Sequence, residues 1–271
     1  MYNSIPKKPR FNCAEEKARQ VLLYYKVNTL PIDVRKLIKA SNICVIKCYS
    51  KLIKRHSLKK EDLYESFGKD GAVLYDATKP KPYTIVYNDI DKPTMRITWT
   101  LAHELGHSIH SYYSNKNQNI LNANYTIMVA EVASTVNEIL LSEYQIANEK
   151  NTYKKAEYIY ELLEMIRATF YRQSMFAEFE KYVHENIENG KMMSADDLNN
   201  IYYKLNEKYF GQDIFMDSYI QYEWARIPHF YSDFYVYKYS TGISAAICIA
   251  TKLLNKEEGF LEKYINMLSQ G

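Results

Sequence analysis

The sequence predicts an α+β fold that is mainly α, with a small mixed α/β unit over residues 1–92 and a helical domain over residues 93–271. Two observations carry this prediction. Runs with the composition of strands occur between residues 42 and 88, whereas apolar residues recur at helical spacing from Pro93 onward. The 271 residues, 47% of them hydrophobic, are enough to bury a sizeable core.

The N-terminal unit alternates helices and strands. Residues 13–26 show the apolar spacing of an amphipathic helix with Asn12 as its N-cap, and Pro31 begins a second short helix. A further helix is expected around LKKEDLYESF, between the first and the second of three strands. The strands are predicted at 42–49, 71–75 and 83–88.

The second part is predicted to consist of long helices. Ser194 and Asp197 have the spacing of a capping box, which marks the start of a helix. The stretch 211–239, which contains Pro228, is too irregular for a long helix. The helices are expected at about 94–114, 125–147, 152–188, 194–209 and 240–268.

Composition and charge narrow the classes of function. The 35 basic and 32 acidic residues give a net charge of +3 and form no basic blocks, so no direct nucleic-acid partner is expected. We find neither the apolar region of a signal peptide nor a run near the ~20 residues of a membrane span. The four cysteines form no CxxC pair, and Cys44 and Cys48 are expected to be buried thiols. We therefore expect a cytoplasmic protein.

The segment 103–107 is an HExxH motif. On a helix, His103 and His107 project from the same face and can bind one metal ion. Glu104 lies near that face, where its carboxylate can reach a metal-bound water. The motif predicts one zinc ion per chain, with Glu104 as the general base in the attack of that water on a carbonyl.

A zinc site of this type needs a third protein ligand. A histidine six residues after His107 would give the metzincin arrangement, but that position is Tyr113. Glu131 is the first carboxylate after the motif and lies on the next predicted helix, which can return it to the metal and leave a fourth position for water. Glu138, seven residues later, is expected either to orient a histidine or to be a solvated surface charge.

Tyrosine is unusually frequent, with 27 copies, and six tyrosines lie near His229 between residues 219 and 239. Phenol and imidazole groups can donate hydrogen bonds to the oxyanion that forms when water attacks a carbonyl. We expect His229 to have this role, while packing explains most of the tyrosines. Among the other histidines, His110 is expected in the core or on the surface, His56 in a basic loop and His184 in an acidic helix.

Five segments after residue 102 are specific enough to indicate a family. They are HELGHSIHSYYS, VAEVASTVNEILL, FYRQSMFAEFE, IYYKLNEKYFG and YEWARIPHFYSDFYVYKYSTG. Through them, residues 103–271 resemble the catalytic C-terminal region of oligoendopeptidase F, a zinc peptidase similar to thimet oligopeptidase. The resemblance implies that the zinc ligands are His103, His107 and Glu131. It also implies that the intermediate is stabilised by His229 together with Tyr231 or Tyr237.

The N-terminal part is similar to a second family. The segments LPIDVRKLIKASNICVI and RITWTLAHELGH belong to a stretch, residues 16–107, that resembles the ImmA/IrrE family of small metallopeptidases. Some members of that family cleave a repressor or act in gene regulation. Because both families contain HExxH, the chain is expected to be a chimera joined at this motif. In oligoendopeptidase F, the residues before HExxH form one wall of the substrate channel. This wall is expected to be absent here, because the corresponding residues resemble the other family.

These observations predict a helical, zincin-type metallopeptidase domain that hydrolyses short oligopeptides with zinc. The alternative is an ImmA/IrrE-like regulatory protein that binds or cleaves a transcriptional repressor, with weak or no general peptidase activity. A third possibility is that apolar helix faces left exposed by the absent wall lead to oligomers.

Overall fold

The structure of the protein is a computed structural model that describes residues 34–92, 94–211 and 213–270. The helix predicted at 13–26 lies outside these described residues. Among the helices of the described part, none is long and apolar enough to cross a membrane.

The described residues form two compact units. One contains the described residues up to Tyr160 together with those from Ala246 onward, and the other runs from Glu161 to Ala245. These units divide the chain at positions other than the predicted boundary between residues 92 and 93, which stays a prediction. The predicted fold class is confirmed, because the described part is mainly helical and contains one small mixed sheet.

A three-stranded sheet forms the β part of the first unit. Its central strand β3 (Tyr83–Tyr87) pairs in parallel with β1 (Cys44–Cys48) and antiparallel with β2 (Gly71–Tyr75). Ile85 therefore lies opposite Ile46 on one side and Val73 on the other. All five residues of β3 are buried, as expected for a central strand. The three predicted strands are confirmed as β1 (Cys44–Cys48), β2 (Gly71–Tyr75) and β3 (Tyr83–Tyr87).

Four helices surround this sheet. Apolar side chains of α1 (Val34–Ser41) and α4 (Thr94–Asn117) pack on one face. Those of α2 (Tyr49–His56) and α3 (Lys60–Phe67) pack on the other. The predicted burial of Cys44 and Cys48 is confirmed on the first face. The helices are α1 (Val34–Ser41), α2 (Tyr49–His56), α3 (Lys60–Phe67) and α4 (Thr94–Asn117).

Helix α2 replaces the basic loop predicted around His56, so the predicted loop is wrong, whereas the expected solvent exposure of His56 is confirmed. Leu52 and Ile53 pack against the buried cluster that contains Tyr49 and Leu63. This tertiary contact stabilises a helix whose basic composition is typical of a solvated loop.

The later helices agree with the prediction except at two places. A π-helical turn, Arg167–Tyr171, interrupts the helix predicted at 152–188. The prediction of a single helix at 240–268 is wrong, because the chain forms two helices, Tyr237–Leu254 and Phe260–Leu268. Lys256 and Gly259 adopt positive φ between them. The later helices are α5 (Ile127–Asn148), α6 (Thr152–Ile166), α7 (Arg172–Glu188), α8 (Ala195–Phe210), α9 (Tyr237–Leu254) and α10 (Phe260–Leu268).

The second unit has its own core between α7 and α8. The irregular stretch predicted at 211–239 contains two short 3-10 helices, Ser218–Arg226 and Pro228–Tyr231. The predicted capping box is confirmed, since Ser194 and Asp197 each accept a hydrogen bond from the other's backbone N–H. The buried core residues are Met175, Phe176, Phe179, Tyr202, Leu205, Ile227 and Val236.

Candidate metal centre

Helices α4 and α5 contact each other along their length and bring the candidate metal ligands together. The HExxH motif occupies the middle of α4, so His103 and His107 are one turn apart on the same face. Helix α5 begins after the connection 118–126 and contributes Glu131 from its second turn.

Gly106, inside the motif, permits a close contact between these two helices. A Cβ atom added at Gly106 would lie 2.6 Å from the Cα of Ser134 and 2.8 Å from the carbonyl oxygen of Ala133. Both of these atoms belong to α5, about one turn after Glu131. The missing side chain of Gly106 therefore allows α5 to approach α4 at the level of the candidate ligands.

Two histidines and one carboxylate converge at this contact. The Nε2 atoms of His103 and His107 lie 3.0 Å apart. The carboxylate oxygens of Glu131 lie 3.6 Å from Nε2 of His103 and 3.8 Å from Nε2 of His107. Within the described residues, these three offer donor atoms that all lie within 4.8 Å of one another. Two imidazole nitrogens and one carboxylate are a donor set that fits a catalytic zinc ion.

Glu138 contacts the opposite edge of the His103 ring. Its Oε1 accepts a hydrogen bond from Nδ1 of His103 at 3.0 Å. The other ring nitrogen, Nε2, then faces His107 and Glu131. Of the two roles considered for Glu138, this contact favours the orientation of a histidine.

Glu104 is buried beside the candidate ligands. Burial raises the pKa of Glu104, the charge of His103 opposes this effect, and the carboxylates of Glu131 and Glu138 add to it, so that the pKa is about 7. A carboxyl group with this pKa can both accept and release a proton near neutral pH.

The two histidines of the motif have different charge preferences. Burial lowers the pKa of His103, but the hydrogen bond to Glu138 and the nearby carboxylate charges outweigh burial and raise it to about 9. Burial and the charge of His103 lower the pKa of His107 to about 3. The surrounding carboxylates therefore stabilise one positive charge at this pair of rings, as a cation site requires.

Sequence reasoning did not single out Ser134, which also contacts the site. The Oγ atom of Ser134 lies 3.3 Å from Oε2 of Glu131 and donates to the Glu131 carbonyl oxygen at 3.0 Å. The only signal in the sequence is its position three residues after Glu131. His110 is fully buried and stacks on Tyr125 at a centroid distance of 3.7 Å, which places it in the core.

Comparison with known proteins identifies the family. The model described as Peptidase family M3 matches residues 47–271. The chain belongs to peptidase family M3. This M3 chain is 42% identical over 213 residues to Oligopeptidase PepF of Bacillus subtilis, and the match covers 78% of this chain and 31% of the relative. It is also 42% identical over 229 residues to the Oligoendopeptidase F homolog of Borreliella burgdorferi, and this match covers 82% of this chain and 38% of the relative.

Solved structures show the same similarity. Oligoendopeptidase-F from Enterococcus faecium matches with a TM-score of 0.60 and 42% identity over 66% of this chain and 32% of that chain. A protein of Chlamydophila abortus, described as a "putative peptidase", matches with a TM-score of 0.71 and 32% identity. This match covers 98% of this chain and 41% of that chain. The M3 chain thus spans about a third of the length of the relatives it matches.

The M3 match includes residues on both sides of the predicted join. It begins at residue 47, well before the HExxH motif at 103–107. These comparisons give no support to a change of family at the motif or to an ImmA/IrrE-like N-terminal part. The alternative of a repressor-binding regulatory protein is accordingly not favoured.

The remaining predicted site residues of the M3 chain belong to the second unit. Among the described residues, the rings of Tyr235 and Tyr239 lie beside His229, with centroid distances of 5.3 Å and 5.7 Å. Tyr231 and Tyr237 are exposed. The roles predicted for His229, Tyr231 and Tyr237 stay predictions.

Proposed function

We propose that this M3 chain is the catalytic part of a zinc-dependent endopeptidase that hydrolyses peptide bonds in short oligopeptides. The observation that carries the proposal is the convergence of His103, His107 and Glu131 beside the buried carboxyl group of Glu104. These three residues are proposed to hold one zinc ion per chain.

The chain's own contacts support a preorganised set of ligands. Glu138 accepts from Nδ1 of His103 and so directs Nε2 of that ring toward the other two ligands. Ser134 lies within 3.3 Å of the Glu131 carboxylate. A zinc ion in such a site supplies Lewis acidity, which lowers the pKa of water toward ~7 and polarises the substrate carbonyl.

Glu104 is proposed as the general base and then the general acid. It accepts a proton from the attacking water while the water oxygen bonds to the carbonyl carbon. Glu104 then donates that proton to the amide nitrogen as the C–N bond breaks, and the second proton of the water passes from the new carboxyl group to the amine, which yields one carboxylate and one ammonium group.

His229, together with Tyr231 or Tyr237, is proposed to donate hydrogen bonds to the oxyanion on the former carbonyl oxygen. The support is the similarity of the segment 222–242 to oligoendopeptidase F, and the chemistry of the imidazole and phenol groups. A single donor of this kind typically contributes about 10²–10³ in kcat.

Short peptides are proposed as substrates because the curated relatives are called Oligopeptidase PepF and Oligoendopeptidase F homolog. The prefix "endo" in the second name supports cleavage within the peptide chain.

The Glu104→Gln variant tests this function. It removes the proton acceptor and leaves the proposed ligands in place, so kcat should fall by at least about 10²-fold on a mixed peptide library while one zinc per chain is retained. Metal analysis and mass spectrometry of the products measure the two quantities. Glu143→Gln, on the same helix as Glu131, is the matched control and should cleave like the unaltered chain. Full activity of zinc-loaded Glu104→Gln would contradict the mechanism.

A further inference from the structure

The stretch 217–236, here called the His229 segment, has little regular structure between α8 and α9. It consists of two short 3-10 helices joined at Ile227 and followed by an irregular stretch. Short 3-10 turns contribute few backbone hydrogen bonds, so the conformation of such a segment depends on contacts with its surroundings. Two buried carboxylates of the second unit provide such contacts. One contact is made at a position before His229 in the segment, and the other at a position after it.

Glu223 holds the segment six residues before His229. It is buried, and its Oε1 accepts a hydrogen bond from Arg172 at 2.6 Å, while Oε2 accepts one from Tyr202 at 2.8 Å. Arg226 contacts the same Oε1. Burial and the hydrogen bond to Glu223 raise the pKa of Tyr202, so its phenol remains protonated and donates. The segment is thereby linked to both α7 and α8.

Glu180 contacts the His229 segment at Phe234, five residues after His229. This carboxylate of α7 is buried, and its Oε1 accepts a hydrogen bond from the backbone N–H of Phe234 at 2.7 Å. Phe234 has a φ of 50°, a left-handed conformation that bulky side chains rarely adopt. Such a conformation persists only where the surroundings impose it, and the Glu180 hydrogen bond is one such constraint.

Apolar contacts also fix the His229 segment. Ile227 and Val236 are buried in the core of the second unit, and the ring of Phe230 packs on Phe176 and Phe179 with centroid distances of 5.3 Å. Since Phe230 follows His229 directly, this packing also constrains the backbone at the histidine.

We propose that Glu180 and Glu223 are positioning residues for hydrolysis, holding the His229 segment in the conformation in which His229 donates to the oxyanion. This inference rests on the role proposed for His229 above. Because displacement of a catalytic group by about 1 Å can cost ~10²-fold in rate, loss of either carboxylate should lower kcat although neither touches the substrate.

The test compares Glu180→Ala with Glu180→Gln, each with and without His229→Ala. Glu180→Ala removes the acceptor for the Phe234 N–H, so kcat should fall about 10- to 100-fold with little change in KM. Glu180→Gln keeps a side-chain oxygen and should restore most of kcat. In the His229→Ala background, Glu180→Ala should have almost no further effect, because the two residues act through one group. Equal losses in both backgrounds would overturn the proposal.

A second variant and a control serve the Glu223 contact. Tyr202→Phe removes one donor to Glu223 but keeps the core ring. It should lower kcat by a smaller factor than Glu180→Ala, and it should have almost no further effect in the His229→Ala background. Glu178→Gln is the control, since Glu178 links α7 to α8 through Lys208 and Tyr209 without contacting the His229 segment. It should leave kcat unchanged. An unchanged kcat in Tyr202→Phe and Glu180→Ala would overturn the proposal.

Tryptophan fluorescence gives a readout that does not depend on activity. Trp224 follows Glu223, and its indole N–H donates to Asn199 at 2.9 Å. In a Trp99→Phe background, Glu223→Ala, which removes both acceptor oxygens, should shift the Trp224 emission to longer wavelength as the segment is released. An unshifted emission would overturn the positioning role, whereas full kcat in His229→Ala would instead refute the proposed function of His229 and, with it, this inference.

Discussion

At the scale of single residues, His103 lies between two carboxylates that contact different ring nitrogens. Glu138 accepts from Nδ1, and Glu131 lies near Nε2. A neutral imidazole carries one proton, so an acceptor fixed at Nδ1 leaves the lone pair of Nε2 available to a metal. Glu138 therefore determines both the rotation of the ring and the nitrogen that can act as the ligand.

Removal of Glu138 should weaken zinc binding without removing a ligand. We expect Glu138→Ala to raise the zinc Kd by about 10- to 100-fold, since His103 loses the acceptor that orients it. Glu138→Gln keeps an acceptor oxygen and should have a smaller effect. Competition with a chromophoric chelator measures both constants, and Glu143→Ala on the same helix serves as the control. A Glu138→Ala variant that binds zinc as tightly as the unaltered chain would exclude this role.

Residue spacing predicted the candidate ligands but not all of their contacts. The geometry of a helix places His103 and His107 on one face, and Glu131 is the first carboxylate on the helix that follows. The choice between the two roles of Glu138 required the contact between α4 and α5, which spacing along one helix does not determine. The rings beside His229 were likewise beyond prediction, because six tyrosines in an irregular segment have no common period.

At the scale of elements, the contact between α4 and α5 depends on Gly106. We expect Gly106→Ala to lower the free energy of unfolding by about 1–3 kcal/mol, since its Cβ would overlap the backbone of α5. Alanine normally stabilises a helix by ~1 kcal/mol relative to glycine, so the sign of the change is decisive. Urea denaturation measures it, with Thr98→Ala on the same helix as the control. Increased stability of Gly106→Ala would contradict the close approach.

The capping box at the start of α8 offers a separate test. Ser194→Ala removes the acceptor for the Asp197 N–H and should cost about 1 kcal/mol of unfolding free energy. Asn200→Ala, at an exposed position inside α8, leaves the cap intact and should not lower stability. Thermal and urea denaturation of both variants give the comparison, and equal stabilities would show that the cap contributes nothing.

The accuracy of the element predictions follows the strength of local signals. The strands of the sheet and the helices α4, α5 and α8 have a clear apolar period or a capping residue, and the structure contains them. Helix α2 was missed because packing of Leu52 and Ile53, rather than local propensity, stabilises it. The break between α9 and α10 was missed because the apolar period continues on both sides of Gly259.

At the scale of the whole molecule, zinc should stabilise the folded chain. A ligand that binds only the folded state adds RT ln(1 + [L]/Kd), which is about 4 kcal/mol at a thousandfold excess over Kd. Zinc should therefore raise the midpoint of thermal unfolding, and a chelator should reverse the increase. The control His56→Ala should respond like the unaltered chain, whereas His103→Ala should not respond. An equal response of His103→Ala would place the zinc elsewhere.

The origin of the three candidate ligands in two successive helices affects the order of folding. His103 and Glu131 are close in the chain compared with its full length, and the connection between α4 and α5 is short. Contacts of low sequence separation carry a small loop-closure entropy and form early. These two helices can therefore assemble as a local hairpin, so that the proposed zinc ligands are expected to come together before the C-terminal helices have been synthesised.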